Sequence, residues 1–339
     1  MFRGKIEREC NKVMKMMQNV MKQFLIAIKQ FLKSWTLPVA ICWGAVAYFV
    51  YTNCSIFDAT RPFAPKVVAV VQPVLIFSML FLSFCKIDAR ALRPHKSHVW
   101  LLAIQCVSFA AMCLLLHFLP NLNGSVLVEA ALLCMICPTA TSAAVVTQKL
   151  GGDGADITMY TLLINIAVAL MVPSMVPLIE PQSSISFTTA LLRILSRVFP
   201  LLIFPLIAAQ FVRCFVPRLH HYLLSFHDLA FYLWAIALSI AISVTCRSIV
   251  HTNHALTELV GIAVVSLLCC IIQFSLGRLI GKHYHRPIST CQALGQKNTV
   301  FAIWMGYTFL NPVTSIAGGF YSIWHNLYNT YQLRKSAKA

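Results

Sequence analysis

Charge is what this chain has least of. Only 11% of its 339 residues are charged, and acidic groups are the rarest, with 10 Asp and Glu against 27 Lys and Arg. Soluble domains carry about 25% charged residues, so this composition excludes an ordinary soluble domain. The chain also lacks a short hydrophobic core followed by a small-residue cleavage site near its start, so no removable signal peptide is expected. It has no Gly-rich phosphate cradle, no Ser/His/Asp set and no His-rich metal spacing, which speaks against an enzyme. A ring of charge or a filter-like repeat is missing too, which leaves little for an ion channel to select with. Thirteen cysteines are present. Most of them (Cys42, Cys85, Cys106, Cys113, Cys134, Cys137, Cys269, Cys270) sit inside apolar runs without ligand spacing and read as small buried hydrophobes.

What remains is apolar. Hydrophobic residues make up 59% of the chain and the mean hydropathy is +0.75. Runs of about 20 apolar residues recur, each long enough to cross a bilayer. Ten spans are predicted, near 37–53, 67–85, 99–119, 126–148, 157–179, 194–216, 228–247, 256–280, 288–309 and 312–332. With the N-terminus inside, every Lys and Arg except Arg61, Lys66, Arg193, Arg197, Arg247 and Lys297 falls on the cytoplasmic side. That asymmetry follows the positive-inside rule with both ends cytoplasmic. The net charge of +17 therefore reports orientation in a plasma (inner) membrane, and no nucleic-acid partner is implied. Residues 1–36 form a basic, Met-rich stretch whose apolar positions recur at helical spacing, as in a helix lying among lipid headgroups. The chain then divides into two five-span units, 37–180 and 187–332, followed by a short tail, 333–339. An odd number of spans per unit inserts the second upside down relative to the first.

The fourth span of each unit is interrupted. In 126–148 the break is Cys137-Pro138-Thr139-Ala140-Thr141, where proline removes a donor and opens the helix. Thr139, Thr141 and Ser142 are expected to cap the half-helix that follows. In 288–309 the break is Gly295-Gln296-Lys297-Asn298, with Asn298 and Thr299 placed to cap. A lysine at the centre of a span costs about 2.5–3.5 kcal/mol on insertion scales and faces protein or water. Paired interruptions at matching positions mark the binding site of a transporter. Half-helix N-termini there would favour an anion, with Lys297 adding a full charge. Candidate ligand-binding residues are thus Pro138, Thr139, Thr141, Ser142, Gly295, Gln296, Lys297 and Asn298. Glu129, Asp228 and Glu258 read as interfacial. Gln72 and Gln105 read as lining groups, and His325, Asn326 and Asn329 as a helix–helix hydrogen-bonding set.

The run Cys137-Pro138-Thr139-Ala140-Thr141-Ser142 with Gly151-Gly152-Asp153, and the later Gly295-Gln296-Lys297-Asn298, resemble the fourth- and ninth-span motifs of the bile acid:sodium symporter family. The resemblance covers residues 36 to 332. It implies an all-α integral membrane fold of ten helices in two inverted five-helix repeats. A panel domain would pack on a core domain whose discontinuous fourth and ninth helices cross. It further implies transport of organic anions, bile acids or small carboxylates, usually with sodium.

The departures fall on the implied sodium positions. The family's Ser-Asn after the first break is Ala143-Ala144, the acidic residue before the glycine is Ala293, and a glutamine after it is Lys297. Of two hydroxyl residues in the fifth span only Thr161 remains, opposite Ile157, and Gln105 is retained. Sodium needs several oxygens and an offsetting carboxylate. The expectation is therefore a carrier without a sodium cofactor, in which the Lys297 ammonium replaces the ion, either a uniporter, an exchanger or a proton-coupled carrier, since burial eases proton loss from lysine. The competing readings are a ligand sensor or scaffold that kept the fold, and a metalloid efflux carrier using Cys137.

Overall fold

The computed structural model describes residues 39–86, 92–179, 186–226, 229–251 and 255–336, with Met16, Met17 and Met21 from the N-terminal stretch. The basic 1–36 segment and Asp228 thus lie almost wholly or wholly outside the described residues. Helices account for nearly all of the rest. They are α1 (Val39–Asn53), α2 (Ala64–Cys85), α3 (Lys96–Phe118), α4 (Ser125–Ile136), α5 (Ala143–Lys149), α6 (Gly154–Ile179) and α7 (Phe187–Phe215). Then follow α8 (Pro217–Ser225), α9 (Leu229–Val250), α10 (Leu256–His283), α11 (Pro287–Gly295), α12 (Thr299–Phe309) and α13 (Ser315–Ser336).

Each predicted span holds one helix or, at the two interruptions, a pair of short ones. Among the described residues six helices are long and apolar enough to cross a membrane, which makes this a membrane-embedded protein. The many exposed large apolar side chains, such as Val70, Phe211 and Leu268, are what a bilayer covers. Cys42 is also exposed and Cys106 half-buried, so those two thiols are not core hydrophobes. The other six are buried. The short helix α8 was not expected. Its nine residues mix Arg218, His220 and His221 with Leu219 and Leu223, and two turns of amphipathic pattern are hard to tell from a loop.

Local chemistry fixes the helix ends. Pro65 and Pro287 open α2 and α11, where a missing N–H costs nothing. Asp153 caps α6 by accepting from the amides of Ala155 and Asp156 (2.8 and 3.2 Å). At α3, the His95 ring accepts from the Ser97 amide while the His98 ring accepts from the His95 amide. Such caps satisfy donors that the first turn leaves free.

The helices pack as two groups. One consists of α2 against α7 and α9, joined by α1 through Ser243 Oγ donating to Gly44 O (2.7 Å) and Ser239 Oγ to Ala40 O (3.0 Å). A Cβ at Gly44 would run into the Ser239 backbone; small residues let membrane helices approach this closely. In the other group α3 packs on α4 and α6, α10 on α4, α11 and α13, and α12 on α13. The groups meet where α6 touches α7 and where α9 and α2 touch α12.

Candidate functional site at the paired breaks

The two interruptions touch. Helix α4 ends at Ile136 and Cys137 turns extended (φ −50°, ψ 129°). Helix α11 ends at Gly295, and Gln296 does the same (φ −90°, ψ 100°). The freed strands pair antiparallel at Thr139 and Lys297. The Ala140 amide donates to Gln296 O (2.9 Å) and the Asn298 amide to Pro138 O (2.8 Å). Backbone that leaves a helix inside a bilayer must find such partners, and here each break supplies them to the other.

Side chains then close the end of α4. Its last carbonyls have no helical partners, and three other elements reach them. Gln273 Nε2 donates to Cys134 O (3.2 Å), Lys297 Nζ to Met135 O (3.4 Å), and Gln105 Nε2 to Ile136 O (3.1 Å) and Cys137 O (2.8 Å). Lys297 is 1% exposed, so its ammonium sits inside the protein at the negative pole of the α4 dipole. The α11 end is served similarly. Thr139 Oγ1 donates to Ala293 O (2.7 Å) and the Tyr321 hydroxyl to Gly295 O (2.8 Å), while Gln273 Nε2 in turn donates to Tyr321 (3.1 Å).

This arrangement corrects an expectation. Thr139 and Ser142 do not cap α5: the N-cap Ser142 makes no capping bond, and its Oγ accepts from Gln296 Nε2 (2.9 Å). Their hydroxyls are used across the crossing, where the orphan carbonyl of a neighbouring helix is the stronger claim. Helix α11 does break at Gly295. The glycine is the last helical residue, and its missing side chain makes room for the Phe274 ring, into which a Cβ would collide. Asn298 does cap α12, accepting from the Phe301 amide (3.2 Å).

All eight candidate residues lie at the crossing. Pro138 gives a carbonyl, Thr139, Lys297 and Asn298 point inward and are committed, and Thr141 and Ser142 remain half-exposed. Gln296 Oε1 is buried without a protein partner. The implied ion positions can be tested against oxygen chemistry. Gln105 Oε1 accepts the Tyr160 hydroxyl (2.8 Å), so both ends of that amide are engaged. Thr161 Oγ1 donates back to Ile157 O (2.9 Å). Ala143, Ala144 and Ala293 offer backbone only, and no three His, Cys, Asp or Glu side chains gather as a metal site among the described residues. Cys137 Sγ donates to Asn298 O (2.9 Å) and is committed as well.

A second cluster lies one helix length away and escaped the sequence reading. Asp156 Oδ1 is 3.1 Å from His98 Nε2 and 2.8 Å from Arg286 Nη1, and both the Asp156 and His98 side chains are 2% exposed. Arg286 also lies 3.4 Å from Asp153 Oδ2, and Ser289 Oγ accepts from the Asp153 amide (3.0 Å). The His98 ring packs on Tyr160 (centroids 5.8 Å), and Tyr160 bonds Gln105. Contacts therefore run from the ends of α3, α6 and α11 to the α4 break. Setting the fifth span at 157 had left Asp156 just outside it. Of the other expected polar groups, Asn329 Oδ1 does accept from Gln292 Nε2 (2.9 Å), whereas His325 Nδ1 is buried without a partner.

No protein-family model matches this chain, and no curated protein does.

Proposed function

We propose that the chain is a secondary transporter of an organic anion, built as ten spans in two inverted repeats like the bile acid:sodium symporters it resembles. Helix pairings support the repeat. Exchanging α1, α2, α3, α4–α5 and α6 for α7, α9, α10, α11–α12 and α13 maps the pair α2–α7 onto α9–α1. It also maps α3–α6 onto α10–α13, and α4–α13 onto α11–α6; each of these pairs packs together. The groups α1–α2–α7–α9 and α3–α6 with α10–α13 then stand as panel and core, and their relative movement would expose the crossing to either side in turn. The charge asymmetry supports a plasma (inner) membrane location with both termini cytoplasmic.

The observation that carries the mechanism is the Lys297 ammonium, buried and bonded to the C-terminal carbonyl of α4. A helix C-terminus favours a cation, and this one is tethered. The carrier therefore works without sodium, as a uniporter or exchanger. Thr141 and Ser142, half-exposed at the crossing, and the buried, unpartnered Oε1 of Gln296 beside them are the groups left to meet the substrate. Uptake of labelled small carboxylates and bile acids into proteoliposomes, with sodium replaced by choline, tests this. Undiminished saturable uptake is the expected result. Strict sodium dependence ends the tethered-cation reading, and saturable binding with no flux moves the protein to the sensor class.

A further inference from the structure

The links entering α3 and joining α10 to α11 lie side by side at one end of the bundle. Trp100 Nε1 donates to the Tyr284 hydroxyl (2.8 Å), and the His95 ring stands perpendicular to Tyr284 (centroids 5.6 Å). His285 turns the second link with φ 58°, the only left-handed non-glycine among the described residues. Such backbone in a non-glycine residue persists where surrounding contacts hold it. The acids described at this end are Asp153 and Asp156, and Arg286 occupies both. Arg93, Lys96 and Lys282 are exposed on the same rim, so their charges are not cancelled by those acids. His95 adds little charge: burial, reinforced by the Arg286 guanidinium, pushes it below the ordinary histidine range. Next to the cations, Val99, Trp100 and Leu279 are exposed.

We infer that this rim binds one anionic phospholipid: Arg93, Lys96 and Lys282 take the phosphate, the Trp100–Tyr284 pair sits at the glycerol level, and an acyl chain lies on Val99 and Leu279. Cation, interfacial aromatic and apolar surface occur together on this rim, one for each part of a phospholipid. The hydrogen bond between Trp100 and Tyr284 fixes their spacing, so this is a site and not only a diffuse positive edge. The inference needs a bilayer and does not depend on transport.

Native mass spectrometry of the full chain, given phosphatidylglycerol and phosphatidylcholine with matched acyl chains, reads it directly. Retention of one phosphatidylglycerol in preference to phosphatidylcholine is expected. Each cation removed singly by Arg93→Gln, Lys96→Gln or Lys282→Gln should weaken retention about fivefold. Three charges removed elsewhere at once, by Arg218→Gln, Arg334→Gln and Lys335→Gln together, should leave it unchanged. Tyr284→Phe removes only the hydroxyl that accepts from Trp100 and should also weaken it. Equal retention of the two lipids overturns the site, as does an equal loss in the control variant.

Discussion

At the scale of single residues, Lys297 separates stability from function. Removing a lone ammonium from the interior relieves a desolvation cost of several kcal/mol, against about 1–3 kcal/mol for leaving the Met135 carbonyl without its donor. Lys297→Met should therefore keep or raise the melting temperature while abolishing transport. Wild-type uptake in that variant would remove the tethered cation from the mechanism. Asp156 has the opposite profile. Asp156→Ala takes from the Arg286 guanidinium its nearer carboxylate, leaving only Asp153 at 3.4 Å, and leaves the buried His98 Nε2 without an acceptor. A loss of about 3 kcal/mol is expected, at the low end for a broken buried pair because Arg286 is partly solvated; thermal unfolding in detergent checks it. Lys297 was legible in the sequence because an ammonium inside an apolar run has few explanations. Tyr160 was not: an aromatic in a hydrophobic helix reads as core, and nothing in the sequence says that its hydroxyl reaches Gln105. Asp156 gave no signal in the sequence, because its partners come from segments about 60 residues before and 130 after it.

At the scale of elements, the interruptions were readable and their detailed chemistry was not. Pro138 and the polar run at Gly295 located both breaks, since each defeats an otherwise apolar helix. Which hydroxyl meets which carbonyl depends on how the breaks face each other, and that is a tertiary fact. Thr139 shows this: a threonine after a proline suggests a local cap, yet its bond goes to Ala293, on another helix. Gly295 offers a sharp check. Gly295→Ala pushes a methyl group into the Phe274 ring, and overpacking of this kind costs about 1–3 kcal/mol. Combining it with Phe274→Leu should recover part of the loss, as coupled neighbours do. Simple additivity of the two effects on melting temperature would show that the ring is not what requires the glycine.

At the scale of the whole molecule, a helical, membrane-embedded class was plain from the low charge and the recurring apolar runs, because a bilayer demands them of any multi-span protein. Their division into two packed groups was not, since Gly44 against Ser239 and Gly277 against the Thr290 carbonyl are contacts between glycines and distant backbone. The groups also meet at Gly319, where an added Cβ would lie 3.3 Å from that of Thr245. That spacing is close to what a disulfide needs. In a background without the other cysteines, Gly319→Cys with Thr245→Cys should cross-link on oxidation and stop uptake, with reductant restoring it. Uptake that persists when the bond is complete would show that α9 and α13 need not part during the cycle.

The ammonium that closes the end of α4 has a further consequence for energetics. An amine welded to the polypeptide is delivered once, at biosynthesis, and leaves no metal ion behind in the cytoplasm. No concentration difference in sodium would then be converted into work at that spot. Such a protein would level its cargo across the membrane or trade one anion for another, and any accumulation would be driven by the cargo's own gradients or by a proton that the amine takes up and gives back.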